Sequence, residues 1–239
     1  MPPREEGKED ILGIKLYDLC GQNRDLRFSP ACWRTRMALA HKGLEVETIP
    51  TLFTEIGEIE GGGQTTVPVL KDGDRVIRDS FDIALYLEET YPDLPSLFQG
   101  EGGKKTSCFI DRWSNMVVNR QLIRLCILDI YNGLDEKDKP YFRQSRETRF
   151  GMPLEEIEDR SAPRIEAFRD SFAPFREALK AQTFIGGEAP LYADYCIFGS
   201  LQWGRMVSDF TFFEENDPVC QWFECCLDLF DGLGRNAKV

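Results

Sequence analysis

Histidine is almost missing from this chain: its 239 residues contain one, His41. A Ser-His or Cys-His base therefore has a single candidate. It falls about a dozen residues, roughly 18 Å of helix, beyond the nearest hydroxyl and thiol, which argues against a hydrolase triad. Basic residues are outnumbered, 29 Lys and Arg against 41 Asp and Glu, for a formal charge of -12. Such a balance, with no basic stripe to offset it, repels phosphate backbones and anionic lipid surfaces, so neither nucleic acid nor a membrane is expected as a partner. No apolar run approaches the roughly 20 residues that a membrane span needs. Met1 to Asp10 lacks the apolar core of a secretory signal, and a soluble, cytoplasmic protein is expected. Cys20, Cys32, Cys108, Cys126, Cys196, Cys220, Cys225 and Cys226 include no Cys-x-x-Cys pair and no Cys/His grouping. That removes a zinc site and points to reduced, largely buried thiols, with no metal expected. Internal repeats and low-complexity tracts are absent as well.

What is present suffices for a packed core, since 42% of the residues are hydrophobic and 12% aromatic. The length suits two domains. One stretch concentrates chemistry, Phe28-Ser29-Pro30-Ala31-Cys32-Trp33-Arg34-Thr35-Arg36. Ser29 before Pro30 reads as a helix cap, and good helix formers continue to Gly43. A helix N-terminus there offers free N–H groups and partial positive charge, which stabilise an anion and in particular a thiolate. Taken alone, the same Ser-Pro is an ordinary cap.

Around that helix the pattern is βαβ. Ile11 to Tyr17 reads as a buried strand, and Leu44 to Pro50 alternates as a second, parallel one. A short helix over Phe53 to Ile59 precedes the turn Gly61-Gly62-Gly63. Two apolar runs flanking Asp72-Gly73 signal a hairpin. Pro68 at the head of the first run fits either a trans proline at a strand edge or a cis bond that turns the Val67 backbone outward. Arg78-Asp79-Ser80-Phe81 opens another helix, with Asp79 or Ser80 as its cap. Its N–H groups and adjacent carboxylate suit a zwitterionic amino-acid head group.

These residues resemble the thioredoxin-like domain of glutathione transferases, with a Ser heading the first helix, then Val67-Pro68, then an acidic-Ser pair opening the third helix. The resemblance implies an α/β thioredoxin-like domain over 11–93, a linker over 94–105 and an all-α domain over 106–239. It also implies glutathione as co-substrate. Ser29 would then hold the glutathione thiolate, Val67 would pair with the cysteinyl backbone, and Asp79 with Ser80 would take the γ-glutamyl group. Thr66 stands where many members have a lysine for the glycine carboxylate, so Gln64 or a neighbour would replace it.

The second half extends the likeness. Phe109, Trp113, Met116, Ile123, Ile127 and Ile130 follow helical spacing and read as one buried helix, with Trp113 and Met116 as candidates for an aryl pocket. The charged and aromatic stretch Tyr131 to Gly151, read as an interruption between helices, is similar to glutathione transferases of the lignin β-aryl etherase type, including a fungal serine class, as is Phe-Ser-Pro-x-Cys-Trp-Arg-Thr-Arg. Ile165 to Leu179 reads as an amphipathic helix kinked at Pro174. Asp194 resembles the family's buried capping residue, although Leu191 replaces the usual Ser or Thr three positions earlier. Val219 to Phe230 forms a last helix. The resemblance implies a detoxifying transferase in which Ser29 stabilises the thiolate for attack on hydrophobic aromatic electrophiles, aryl ethers or other phenolics, within a homodimer. Two rivals stand beside it: a glutathione-dependent carrier of phenolics without turnover, and a thiol reductase using Cys32.

Overall fold

The computed structural model describes residues 13–237, so Ile11 and Leu12, read as the start of the first strand, lie outside the described residues. Strand β1 (Ile14–Leu19) pairs in parallel with β2 (Val46–Thr51), and helix α1 (Pro30–His41) makes the crossover. β3 (Val69–Asp72) and β4 (Arg75–Arg78) form the expected hairpin, with Gly73 at a φ of 55° in its turn. β3 runs antiparallel to β1, which gives the order β2-β1-β3-β4. The peptide bond from Val67 to Pro68 is cis. Between β2 and β3 the chain makes tight 3-10 turns over Phe53–Gly61, and α2 (Ser80–Thr90) follows the hairpin. The whole is the expected thioredoxin-like α/β unit followed by a helical one.

The helical half departs from the sequence reading in several places. First, α3 (Glu101–Trp113) begins inside the stretch read as a linker, so the connection is short. Second, the helix read as continuous from Phe109 to Ile130 is α3, a π-helical turn over Ser114–Val118, and α4 (Asn119–Gly133). A π turn carries one extra residue, which rotates the stripe on one side by about 100° relative to the other. An apolar period extrapolated through it loses phase. Phe109 and Met116, read as core, are accordingly 68% and 54% exposed. Third, the stretch read as an interruption contains α5 (Lys139–Phe150), ended by Gly151 at a φ of 71°, where only glycine is unstrained.

After the short α6 (Leu154–Ile157), the helix expected over Ile165 to Leu179 is two, α7 (Ala162–Asp170) and α8 (Ala173–Leu179), and Pro174 sits in the first turn of the second. α9 (Tyr192–Val207) runs through the centre, buried on almost every side. α10 (Pro218–Leu227) packs outside it. Among the described residues no helix is long and apolar enough to cross a membrane.

Asp194 sets the entry of α9. Its carboxylate accepts from the N–H groups of Ile185 at 2.8 Å, Gly186 at 3.1 Å and Leu191 at 3.0 Å, and from the Trp222 indole at 3.2 Å. The side chain of Leu191 offers no acceptor in return, so one carboxylate holds the preceding turn, the helix start and α10 together. Asp194→Ala leaves these buried donors without an acceptor and is expected to cost about 3 kcal/mol or more. Chemical denaturation should show a lower midpoint at constant slope, whereas an unshifted midpoint would remove this role.

Candidate functional site

Ser29 has the extended φ and ψ of -61° and 127° that an N-cap needs, and Pro30 follows in the first helical position. Its Oγ accepts from the Cys32 N–H at 3.3 Å, while its carbonyl takes the Trp33 N–H at 3.0 Å. A hydroxyl that accepts through a lone pair keeps its own proton to donate. Ser29 thus caps α1 and keeps its own proton to donate, with the Cys32 thiol and the cleft that it lines both within reach.

That cleft has a volume of about 400 Å³ and lies between the sheet domain and the helices. Thr66 and Val67 share it with Ser29, as the sequence reading requires. Gln64 is buried beside them, and its side-chain oxygen has no hydrogen-bond partner. Asp79 and Ser80 head α2 but are not among the residues lining this cleft. Two of the α2 N–H groups that the sequence offered to a ligand are already used, because Asp79 Oδ1 accepts from Phe81 at 2.8 Å and Asp82 at 3.3 Å. Asp79 does this at a φ of 64° while remaining exposed, so its charge faces outward. Ser80 is buried, with its carbonyl accepting from the Tyr192 hydroxyl at 2.7 Å.

The opposite wall was not foreseen. Trp113 lies instead in a separate apolar groove with Phe109, Phe175 and Ile197, and Met116 lines neither. Asn115, Asn119 and Ile123 face the Ser29 cleft from the π turn and α4, and Phe142, Arg146 and Arg149 face it from α5. Each set follows helical spacing, i, i+4 and i+8 or i, i+4 and i+7. The signal was therefore in the sequence, but only for a reader who knew that residues 139–150 are helical. Phe53, from the 3-10 segment, completes an aromatic cluster with Tyr141 and Phe142 at ring separations of 5.8 and 6.0 Å. Asp138 fixes that segment, its carboxylate accepting from the N–H groups of Phe53 at 2.8 Å and Thr54 at 2.9 Å.

Cys32 is not among the residues lining this cleft. It is fully buried, and burial together with the Asp18 carboxylate pushes its thiol well above the ordinary range, so it stays protonated. Asp18, also fully buried and raised by burial, faces Arg36 at 3.6 Å. Among the described residues no cluster of three or more His, Cys, Asp or Glu could hold a metal ion.

Two contacts fix Ser29 relative to the helical wall. Arg34, one turn along α1, donates to Asp111 of α3 at 2.6 Å and to Ser114 and Asn115 of the π turn at 3.2 and 3.0 Å. On the other side Gly199 of α9 lies so close to α1 that a Cβ there would stand 2.4 Å from the Pro30 carbonyl oxygen.

Known proteins share this order of two domains. Residues 28–90 match the model of the glutathione S-transferase N-terminal domain, and residues 106–222 match that of the C-terminal domain. A glutathione S-transferase of Ceriporiopsis subvermispora, solved in complex with glutathione, superposes with a TM-score of 0.80 over 92% of this chain and 96% of that one at 26% identity. Glutathione transferase GSTFuA2 from Phanerochaete chrysosporium gives 0.79 over 95% and 99% at 25% identity. Among curated sequences, the glutathione S-transferase-like protein ustS of Aspergillus flavus is 29% identical over 53% of this chain and 50% of its own length. A zeta-class glutathione S-transferase of Euphorbia esula is 37% identical over 53% and 54%. The chain thus spans about half the length of these curated relatives.

The close approach at Gly199 can be tested against a glycine with room. Gly199→Ala must push α9 off the first turn of α1 and is expected to destabilise by about 1–3 kcal/mol. Gly133→Ala, whose Cβ would meet nothing within 4 Å, should be neutral or slightly stabilising. Equal midpoints for the two variants in urea would show that this packing does not locate α1.

Proposed function

Since the chain belongs to the glutathione S-transferase superfamily, we propose that the Ser29 cleft binds glutathione and transfers its thiol to an aromatic electrophile. The observation that carries this reading is the Ser29 hydroxyl, which caps α1 and still has a proton to donate where Thr66 and Val67 share the cleft. The superfamily supplies the co-substrate, and the fungal relative crystallised with glutathione supports it at 26% identity. Of the described residues, 13–93 form the glutathione-binding domain and the helical domain starts with α3 at Glu101, with the Val67 backbone beside the cysteinyl segment of the tripeptide. The Asp79 carboxylate takes the γ-glutamyl ammonium, and Gln64 and Thr66 lie toward the glycine end.

A free thiol of this type has a pKa near 8.5, so little of it is ionised at neutral pH. The Ser29 hydroxyl contributes one hydrogen bond to the sulfur and the head of α1 about 0.3–1 kcal/mol of dipole stabilisation. Together they lower the thiol by about one to two units, at 1.36 kcal/mol each. The thiolate attacks an electrophilic carbon held against Phe53, Tyr141 and Phe142. For an aryl ether the C–S bond forms as the C–O bond breaks, and its electron pair leaves on the phenolate oxygen, which takes a proton from water. Cys32 takes no part, because its buried, protonated sulfur is neither exposed nor nucleophilic. A homodimer and the etherase-like class belong to the same reading.

Ultraviolet titration of the bound thiolate tests the central claim. Ser29→Ala removes only the hydroxyl's share, so it should raise the thiol pKa by about one unit and lower turnover at pH 6.5 more than at pH 8.5. An unshifted titration would remove Ser29 from the mechanism. Asp79→Asn keeps an oxygen to cap α2 but loses the charge, and should weaken glutathione binding by about tenfold with little change in stability. Unchanged affinity would reassign the γ-glutamyl group. Tight binding of aromatic ligands without turnover of any electrophile would favour the carrier.

A further inference from the structure

We propose that the electrophile taken by this cleft carries a carboxylate beside its aromatic ring, with Arg146 and Arg149 of α5 and Arg120 of α4 binding the anion. The inference rests on the glutathione-transferase reading of the cleft and adds the class of second substrate. Its first support is the sign of the lining. The chain holds 41 acidic residues against 29 basic ones, yet the cleft is lined by Arg120, Arg146 and Arg149 and by no aspartate or glutamate. A wall of one sign inside a protein of the opposite sign focuses a positive potential on the cleft.

The second support is that these cations lack counter-ions where their neighbour has them. Arg143, on another face of α5, donates to Glu147 at 2.8 Å and to Glu155 at 2.9 Å. Among the described residues no carboxylate lies within ion-pair distance of Arg120, Arg146 or Arg149. Arg146 is the most constrained. Its guanidinium stacks 4.5 Å from the Phe142 ring centroid and 5.7 Å from that of Phe53, and Nη1 donates to Ser145 Oγ at 3.0 Å. Its Nε is buried without a partner. Burial and the neighbouring Arg149 both weaken its hold on the proton, an arrangement that a bound anion would relieve. A planar guanidinium fork matches a carboxylate in two parallel hydrogen bonds.

The third support is the join between charge and aromatic surface. Phe53 and Phe142 are at once the stacking partners of Arg146 and the cleft's aromatic wall. A ring lying on that wall carries its own substituents to the guanidinium edge. A neutral hydrophobic electrophile would use the rings and leave the cations unpaired, whereas an aryl carboxylate uses both.

A matched pair of probes separates the substrate claim from the function claim. The full-length protein is assayed with glutathione and either 4-chloro-3-nitrobenzoate or its methyl ester. In both reactions a C–S bond forms and the C–Cl bond breaks, with the pair leaving on chloride. Because the ester is the more activated ring, each kcat/KM is divided by the rate constant of the uncatalysed thiolate reaction; on that scale the wild type is expected to favour the acid over the ester, and added salt should shrink that preference. Arg146→Gln and, separately, Arg149→Gln should lower the acid-to-ester ratio by about tenfold, through KM for the acid. Arg149 is exposed, so its variant should fold normally even if loss of the Arg146 stack disturbs α5. A ratio that favours the ester in the wild type, or that the variants leave unchanged, overturns the proposal. An effect confined to KM for glutathione also overturns it, by giving the arginines to a carboxylate of the tripeptide. If neither probe turns over, the transferase reading fails, and calorimetry of the two probes still decides the anion site. Tighter binding of the acid, lost in Arg149→Gln, sustains it, and equal binding refutes it.

Discussion

An arginine and an aspartate shut away from water hold the site together. The side chains of Arg34 and Asp111 are 1% and 4% exposed, and their atoms meet at 2.6 Å. Removing two charges from water costs several kcal/mol per ion, which mutual attraction offsets only when the remaining donors are also satisfied. Here Ser114 and Asn115 take the second guanidinium nitrogen, but Nε is buried without a partner. The pair is therefore better read as a registration device than as a source of stability. It binds the helix that presents Ser29 to the π turn from which Asn115 reaches the same cleft, so the two walls cannot slide independently. Gly199 works from the other face, since only a residue without a Cβ lets α9 lie against the Pro30 carbonyl.

The consequence is a division of labour along α1. Its first turn carries the Ser29 hydroxyl, its second the interdomain ion pair, and its last the half-buried His41, whose ring bridges the Tyr195 hydroxyl at 2.7 Å and the Ser96 carbonyl at 3.1 Å. Burial lowers the His41 pKa, which keeps the ring neutral in this crowded position. The one histidine of the chain is thus a packing element between the domains. Its distance from Ser29, legible from the helical rise alone, had already excluded it as a base.

Local signals were legible. The Ser29-Pro30 cap, the Asp72-Gly73 turn and the acidic-Ser pair heading α2 are each specified by neighbours two or three residues apart, and the structure places them as read. What the sequence did not disclose joins residues far apart. Arg34 meets Asp111 across 77 positions, and Asp138 caps the turn at Phe53 and Thr54 across 85 and 84. The mistaken burial of Phe109 and Met116 has a different origin. An amphipathic stripe is a statement about phase, and the π turn over Ser114–Val118 shifts that phase without any proline or glycine to announce it. The arginines of α5 were visible as part of a charged and aromatic run that was read as an interruption between helices. Knowing that the run was helical would have put Phe142, Arg146 and Arg149 on one face.

Chemistry gives those arginines a second purpose. A thiolate and a carboxylate held in one cleft of about 400 Å³ repel each other. At a separation of about 7 Å and an effective dielectric of about 20 the cost is roughly 2 kcal/mol. That approaches the whole stabilisation available to the sulfur from one hydroxyl and one helix terminus. A site with only Ser29 would therefore lose much of its thiolate when an anionic partner arrived. Unpaired guanidinium groups on the facing wall offset the repulsion and stabilise both anions. In a chain this acidic, such a wall does not arise from average composition. On the proposed function, Ser29 would set where the sulfur sits, and the charge on α4 and α5 would determine which partners can approach it.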